Sequence, residues 1–113
     1  MKQVIVIRKD LDLSLGKYIA QAVHAAQRVG YPFDYENERM VCIVVYVKSE
    51  DKLLKLHEQC IVHEIPCGLQ VDAGKSEVVA RTLTSLCIGP AASEDVDAIT
   101  GKLQLVRGIV DWG

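Results

Sequence analysis

Val4-Ile5-Val6-Ile7, closed by Arg8-Lys9-Asp10 and followed by Gly16-Lys17-Tyr18-Ile19-Ala20-Gln21-Ala22-Val23-His24-Ala25-Ala26, is the stretch whose reading decides the fold. The first four residues form an unbroken β-branched run, the pattern of a strand buried on both faces between helix layers. Leu11 to Leu15 is a short connection, in which Ser14 or Asp12 is placed to cap a helix opening at Gly16. Gly30 and Pro32 end that helix. At about 100° per residue, Lys17, Gln21, His24 and Arg28 share one arc, with Ile19, Ala22, Val23, Ala26 and Val29 opposite. The apolar arc is expected to dock and the polar arc to be presented. Solvated helix faces usually mix Glu and Lys at i,i+4. This one carries two cations, an amide and an imidazole without an acid, which suits an anionic partner.

Working outward, residues 31–39 are acidic and partly aromatic, lack periodicity and read as a loop. Met40 to Val47 is a second buried strand. Ser49 is an N-cap before Glu50 and Asp51, and Leu53, Leu56, His57, Cys60 and Ile61 follow helical spacing to about His63. Pro66 stops that helix. Cys67 to Val71 reads as a short third strand ending in Asp72-Ala73-Gly74-Lys75-Ser76, and Thr82 to Ile88 as a fourth, closed by Gly89-Pro90. Ser93 is expected to cap a short helix that Gly101 terminates, and Leu103 to Val106 reads as a final extended piece. The expected architecture is α/β: a single domain over residues 1–113, with a four-stranded mixed sheet flanked by helices on both faces.

Composition bounds the function. The chain has 113 residues, half of them hydrophobic, enough for one core. A net charge of −2 excludes a protein that coats nucleic acid by bulk charge, but leaves room for a local basic patch. The apolar run at Val4 to Ile7 is too short for a signal peptide or a membrane span, so a cytoplasmic protein without a membrane partner is expected. Cys42, Cys60, Cys67 and Cys87 show neither zinc-ribbon nor C-x-x-C spacing and read as reduced core residues. His57, Cys60, His63 and Cys67 converge only loosely on a helix, and Cys67 lies beyond Pro66, so no metal site is expected.

Ligands of open α/β sheets gather at the carboxyl ends of parallel strands. That singles out Arg8 to Asp10 and Asp72 to Ser76. Gly74-Lys75-Ser76 looks like the end of a P-loop, but the motif needs Gly at position 69, which is Leu. A Ser76, His24 and Asp72 triad lacks any nucleophile elbow.

Arg8-Lys9-Asp10-Leu11, the block Leu15-Gly16-Lys17-Tyr18-Ile19-Ala20-Gln21-Ala22-Val23-His24-Ala25, then Asp72-Ala73-Gly74-Lys75-Ser76, Ile88-Gly89-Pro90 and Ile99-Thr100-Gly101-Lys102-Leu103 together resemble the type-2 peptidyl-tRNA hydrolase family. The resemblance runs in order over most of the chain. It implies hydrolysis of the ester joining a peptide to the terminal ribose of tRNA, with no metal or organic cofactor; it leaves oligomeric state open, a homodimer included. Where the family usually has Gly-Ser before the fourth strand, this chain has Arg81-Thr82, with Thr84 still matching. Before the second strand, Glu38-Arg39-Met40 replaces the usual Gly-Gln and Lys. Ser76 stands for the usual Thr and keeps its hydroxyl.

Ester hydrolysis needs an oriented water, a proton acceptor and a donor for the developing oxyanion. Asp72 is the candidate for orienting and deprotonating water. Lys17 would hold Asp72 ionised or stabilise the oxyanion, Ser76 would bond within the site, and His24 would shuttle a proton or contact RNA. Gln21 and Thr84 are candidates for substrate positioning, and Arg8, Lys9, Arg28, Lys75, Arg81 and Lys102 for phosphate contacts. Two other functions fit the same residues: a non-catalytic RNA- or protein-binding module, and a small acyl-ester hydrolase.

Overall fold

The computed structural model describes residues 1–34, 36–74 and 81–107. β1 (Lys2–Arg8) runs parallel to β2 (Val41–Val47) and antiparallel to β4 (Thr82–Ala91), and β3 (Cys67–Asp72) closes one edge against β4. A two-residue β5 (Gln104–Leu105) pairs with β2 at the other edge. The order is β3-β4-β1-β2-β5, so the mixed sheet has five strands rather than four. The extra strand is the extended piece after Gly101.

Helices cover both faces. β1 alternates between two cores: Val4 and Val6 pack with Leu53, Leu56, Cys60 and Val96 of α2 (Glu50–Val62) and α3 (Ser93–Thr100). Ile5 and Ile7 pack with Tyr18 and Ala25 of α1 (Leu15–Val29). Burial on both sides is what the continuous β-branched run requires. No helix among the described residues is long and apolar enough to cross a membrane.

Ser14 starts α1, its hydroxyl accepting from Lys17 N–H, and Gly30 ends it at φ +64°. Ser49 caps α2 in the same way. Three expectations need correction. Ala92, not Ser93, is the cap of α3, which begins without a side-chain bond. β4 continues through Gly89-Pro90 to Ala91, because the register against β1 shifts there and a bulge accommodates a residue with no N–H to donate. The third concerns α1. Ala22, Ala26 and Val29 dock as expected, but the buried residues of the face are Tyr18, Gln21 and Ala25, and Ile19 and Val23 are 56% and 49% exposed. The helix is turned so that part of its polar arc lies on the sheet, where hydrogen bonds offset the cost of burying it.

Cys60 and Cys87 are buried, and desolvation pushes each thiol up to about 12; Cys42 is exposed and Cys67 half-buried. No three His, Cys, Asp or Glu side chains converge as metal ligands among the described residues. Ser76, Lys75 and the Trp112 tail lie outside the described residues.

Candidate active site

The seam between α1 and β3 builds the site. β3 alternates: Leu69 joins the α2 side, while Gly68, Gln70 and Asp72 share the opposite parity and meet α1. Gly68 sets how closely the helix approaches. A Cβ there would stand 2.5 Å from the Ala25 carbonyl oxygen and 2.9 Å from Val29 N, so only glycine lets the helix lie this low.

At the lower end of the seam Lys17 Nζ donates to Asp72 Oδ1 at 2.7 Å, with side chains 16% and 7% exposed. Gln21 Nε2 donates to the same oxygen at 3.3 Å, and Gly74 N–H to Oδ2 at 2.6 Å. The Lys17 hydrogen bond contributes most to holding the carboxyl below its ordinary range, against the opposing effect of desolvation, with the Gly74 N–H and the Lys17 charge adding to it. Asp72 is therefore an anion that, among the described residues, keeps one lone pair open on Oδ2, able to orient a water but weak as a base.

Gln21 is fixed in turn. Thr84 Oγ1 donates to Gln21 Oε1 at 2.6 Å, and Ser85 Oγ to the Gln21 carbonyl at 2.8 Å. Thr84 and Ser85 both face α1 because the β3–β4 register slips between Gln70 opposite Ser85 and Val71 opposite Leu83, leaving Thr84 as the extra residue of a bulge. Bulges commonly re-aim a side chain beside a functional site. Gln21 and Thr84 are 3% and 1% exposed, and the Thr84 bond to Gln21 Oε1 holds the Gln21 amide against Asp72 at the cavity lining.

Above this floor opens a cavity of about 550 Å³, lined by Lys17, Gln21, His24, Arg28, Gln70 and Asp72 among others. His24 is exposed on its wall, with Nδ1 3.3 Å from Gln27 Oε1. Gln27 Oε1 accepts from Nδ1 in the Nδ1–H tautomer, the one that leaves the Nε2 lone pair available. The arc Lys17, Gln21, His24 and Arg28 thus arrives at one place with Asp72.

Other candidates stand elsewhere. Arg8 is 9% exposed, its guanidinium paired with Asp10 and donating to the Leu83 carbonyl at 2.8 Å, so it ties β1 to β4 and is not presented to phosphate. Lys9 lies over the Tyr46 ring at 5.3 Å. Lys102 is in the turn after α3, the layer opposite α1. Arg81 borders the site: its N–H bonds the Asp72 carbonyl oxygen at 2.8 Å, and its φ of +64° is one glycine takes without strain. Sequence reading missed Gly68, Gln70 and Ser85. The signal for the first two was the alternation Gly68, Gln70, Asp72, a polar strand face too regular for a solvated edge.

The sequence matches, over residues 1–106, the family described as peptidyl-tRNA hydrolase PTH2, which makes the chain a hydrolase by class. A Methanopyrus kandleri protein named peptidyl-tRNA hydrolase is 40% identical over 114 residues, covering 94% of this chain and 98% of that one. A Methanocaldococcus jannaschii protein of the same name is 36% identical over 115 residues, covering 94% and 100%. An Agrobacterium protein of unknown function shares the fold, with a TM-score of 0.64 at 16% identity, over 92% of this chain and 96% of the other. The chain belongs to the PTH2 family of peptidyl-tRNA hydrolases.

Proposed function

We propose that the chain hydrolyses the ester between peptide and tRNA at the floor of the α1–β3 cavity, with Lys17, Asp72 and His24 as the reacting groups. The observation that carries this reading is the Lys17–Asp72 pair, sequestered at 2.7 Å beneath an open cavity. An ammonium has three donors, and Asp72 uses one. The others are available to the carbonyl oxygen as it becomes an oxyanion.

Water, held by the open lone pair of Asp72, attacks the carbonyl carbon while His24 Nε2 takes its proton. Collapse of the tetrahedral species breaks the bond from carbon to the ribose oxygen, and the imidazolium returns the proton to that oxygen. The products are tRNA with a free hydroxyl and a peptide carboxylic acid, which gives its proton to solvent to become the carboxylate. Each step uses groups of this chain, and none asks Asp72, whose carboxyl is held below its ordinary range, to serve as the proton acceptor. The Arg28 cation on the cavity wall supports a polyanionic substrate, in a chain whose net charge is −2. A substrate of that kind supports a cytoplasmic site of action, where translation runs.

Hydrolysis of peptidyl-tRNA by the purified chain tests the reading, alongside Lys17→Ala, Asp72→Asn and His24→Ala. Removing the oxyanion donor is expected to lower kcat by about 10²–10³-fold. Unchanged turnover in the Lys17 and Asp72 variants would refute the residue roles. Binding of tRNA without turnover at any enzyme concentration would favour the binding module, and equal activity on a small acyl ester would favour a general acyl-ester hydrolase. The mass of the same preparation in solution reports whether two copies pair.

A further inference from the structure

The cavity runs from Lys17 and Asp72 past His24 to a second end at Arg28. Arg28 follows Lys17 by eleven residues, which puts their Cα atoms about 16 Å apart along α1. Its guanidinium is braced in an unusual way. Arg28 Nε donates to Gln70 Oε1 at 2.5 Å, and Gln70 Nε2 donates to the Val71 carbonyl at 3.2 Å. The second bond allows only one orientation of the Gln70 amide, with its oxygen toward Arg28. Gln70 itself is 6% exposed, so the brace is rigid, whereas Arg28 is an exposed residue on the cavity wall. Both Nη atoms of Arg28 are without a hydrogen-bond partner among the described residues.

A long cation held by Nε alone, with its two outer nitrogens free, is pre-organised for a bidentate anion. Ordering that would otherwise be lost on binding is already spent in the free protein. Among the described residues no acid faces it: those around it on the cavity wall are His24, Gln27, Gln70 and Val71. From this we infer that Arg28, positioned by Gln70, grips a backbone phosphate of the tRNA 3′ strand behind the esterified nucleotide, so that the strand runs along α1 from Lys17 toward Gly30. His24 lies between the two ends, one helical turn from Arg28. The strand therefore enters from the C-terminal end of α1. This inference rests on the reading of the site as a peptidyl-tRNA hydrolase and adds a direction and a phosphate-gripping residue to it.

The test compares two ester substrates, an N-acetylaminoacyl adenosine without phosphate and the same ester on an RNA oligonucleotide ending in CCA. Arg28→Ala and Gln70→Met are expected to raise KM for the oligonucleotide ester by roughly tenfold, the effect of losing one charge-assisted contact, with a smaller change in kcat. The loss on the adenosine ester should be several-fold smaller. The slope of log KM against log salt for the oligonucleotide should fall in Arg28→Ala by about 0.7, the share of one phosphate on a single strand. Because Gln70 acts through Arg28, Gln70→Met should add little in an Arg28→Ala background. Equal losses on both esters, an unchanged salt slope, or additive effects in the double variant would overturn the inference. Binding of the unesterified oligonucleotide, measured by fluorescence anisotropy, separates the two readings. A parent chain that binds it through Arg28 but cleaves neither ester refutes hydrolysis and keeps the phosphate grip. A chain that cleaves both esters, with Arg28→Ala binding the oligonucleotide as the parent does, refutes the grip and keeps hydrolysis.

Discussion

Gly68→Ala is the smallest change that separates the seam from the residues it brings together. The added methyl would lie 2.5 Å from the Ala25 carbonyl oxygen, 2.9 Å from Arg28 Cβ and 2.9 Å from Val29 N. Ordinary contact between such atoms is near 3.5 Å, so the helix or the strand has to move by roughly 1 Å. Two of these atoms belong to helix backbone, and no rotamer change relieves them. Overpacking of this kind costs about 1–3 kcal/mol, which for a domain of this size lowers Tm by roughly 4–12 °C. The same displacement lifts α1 from Asp72, loosening the Gln21 bond at 3.3 Å before the Lys17 bond at 2.7 Å. Misplacement by 1 Å can cost up to about 10²-fold in rate. Lys17 lies eight residues from Ala25 and has a flexible stem, so a fall in kcat nearer tenfold is expected. Thermal unfolding followed by circular dichroism and single-turnover hydrolysis of peptidyl-tRNA measure the two effects. A lowered Tm with parental turnover would refute the dependence of the site on this seam, and an unchanged Tm would refute the role of Gly68 in seating α1.

Thr84→Val keeps the shape but removes the donor to Gln21 Oε1, leaving a buried acceptor unsatisfied. Denaturant unfolding should show a loss of about 1–3 kcal/mol, and kcat should fall because Gln21 no longer presents Nε2 to Asp72. Arg8→Met should destabilise the chain by leaving Asp10 and the Leu83 carbonyl without their partner, while KM for peptidyl-tRNA stays parental; a raised KM with parental stability would return Arg8 to the substrate interface. Asp72 binds its proton more weakly in the folded state than in the unfolded chain. Its contribution to stability is therefore present above the ordinary carboxylate range and lost as pH falls through the lowered folded value. Between neutral and acid pH the parent should lose more stability than Asp72→Asn does, as read from urea midpoints, and parallel curves would contradict the shift.

The layers and most element ends were legible in the sequence because they rest on local signals. β-branched runs, Ser14 and Ser49 as caps, and Gly30 as a stop each depend on a few neighbouring residues. What was illegible depends on pairs distant in the chain. Thr84 faces Gln21 only because a bulge adds one residue to β4, and no pattern within Thr82 to Ser85 announces where its partner strand will slip. The rotation of α1 was misread for a related reason. Hydrophobicity ranks Ile19 and Val23 above Gln21 for burial, but Gln21 finds a donor in Thr84 and an acceptor in Asp72, partners 63 and 51 residues away. Arg8 and Lys102 were plausible phosphate contacts by type alone, and type says nothing of which face of the sheet a cation reaches.

Lys17 shows why the local rules break at the proposed site. It is in the first turn of α1, where the helix dipole disfavours a cation, and no acid in that turn offsets it. Its compensation is Asp72 from β3, an anion that the same dipole favours. A buried ion pair seldom adds net stability, because desolvation consumes most of the attraction. The arrangement is thus a poor way to start a helix and an uneconomical way to join it to a strand. It holds an ammonium oriented at the floor of a cavity, which a solvated lysine cannot do without reorganising water during the reaction. The exposed Ile19 and Val23 follow from the same choice. With Tyr18, Gln21 and Ala25 committed to the sheet and Lys17 to Asp72, the register of the helix is set by the site, and two apolar side chains are left facing solvent.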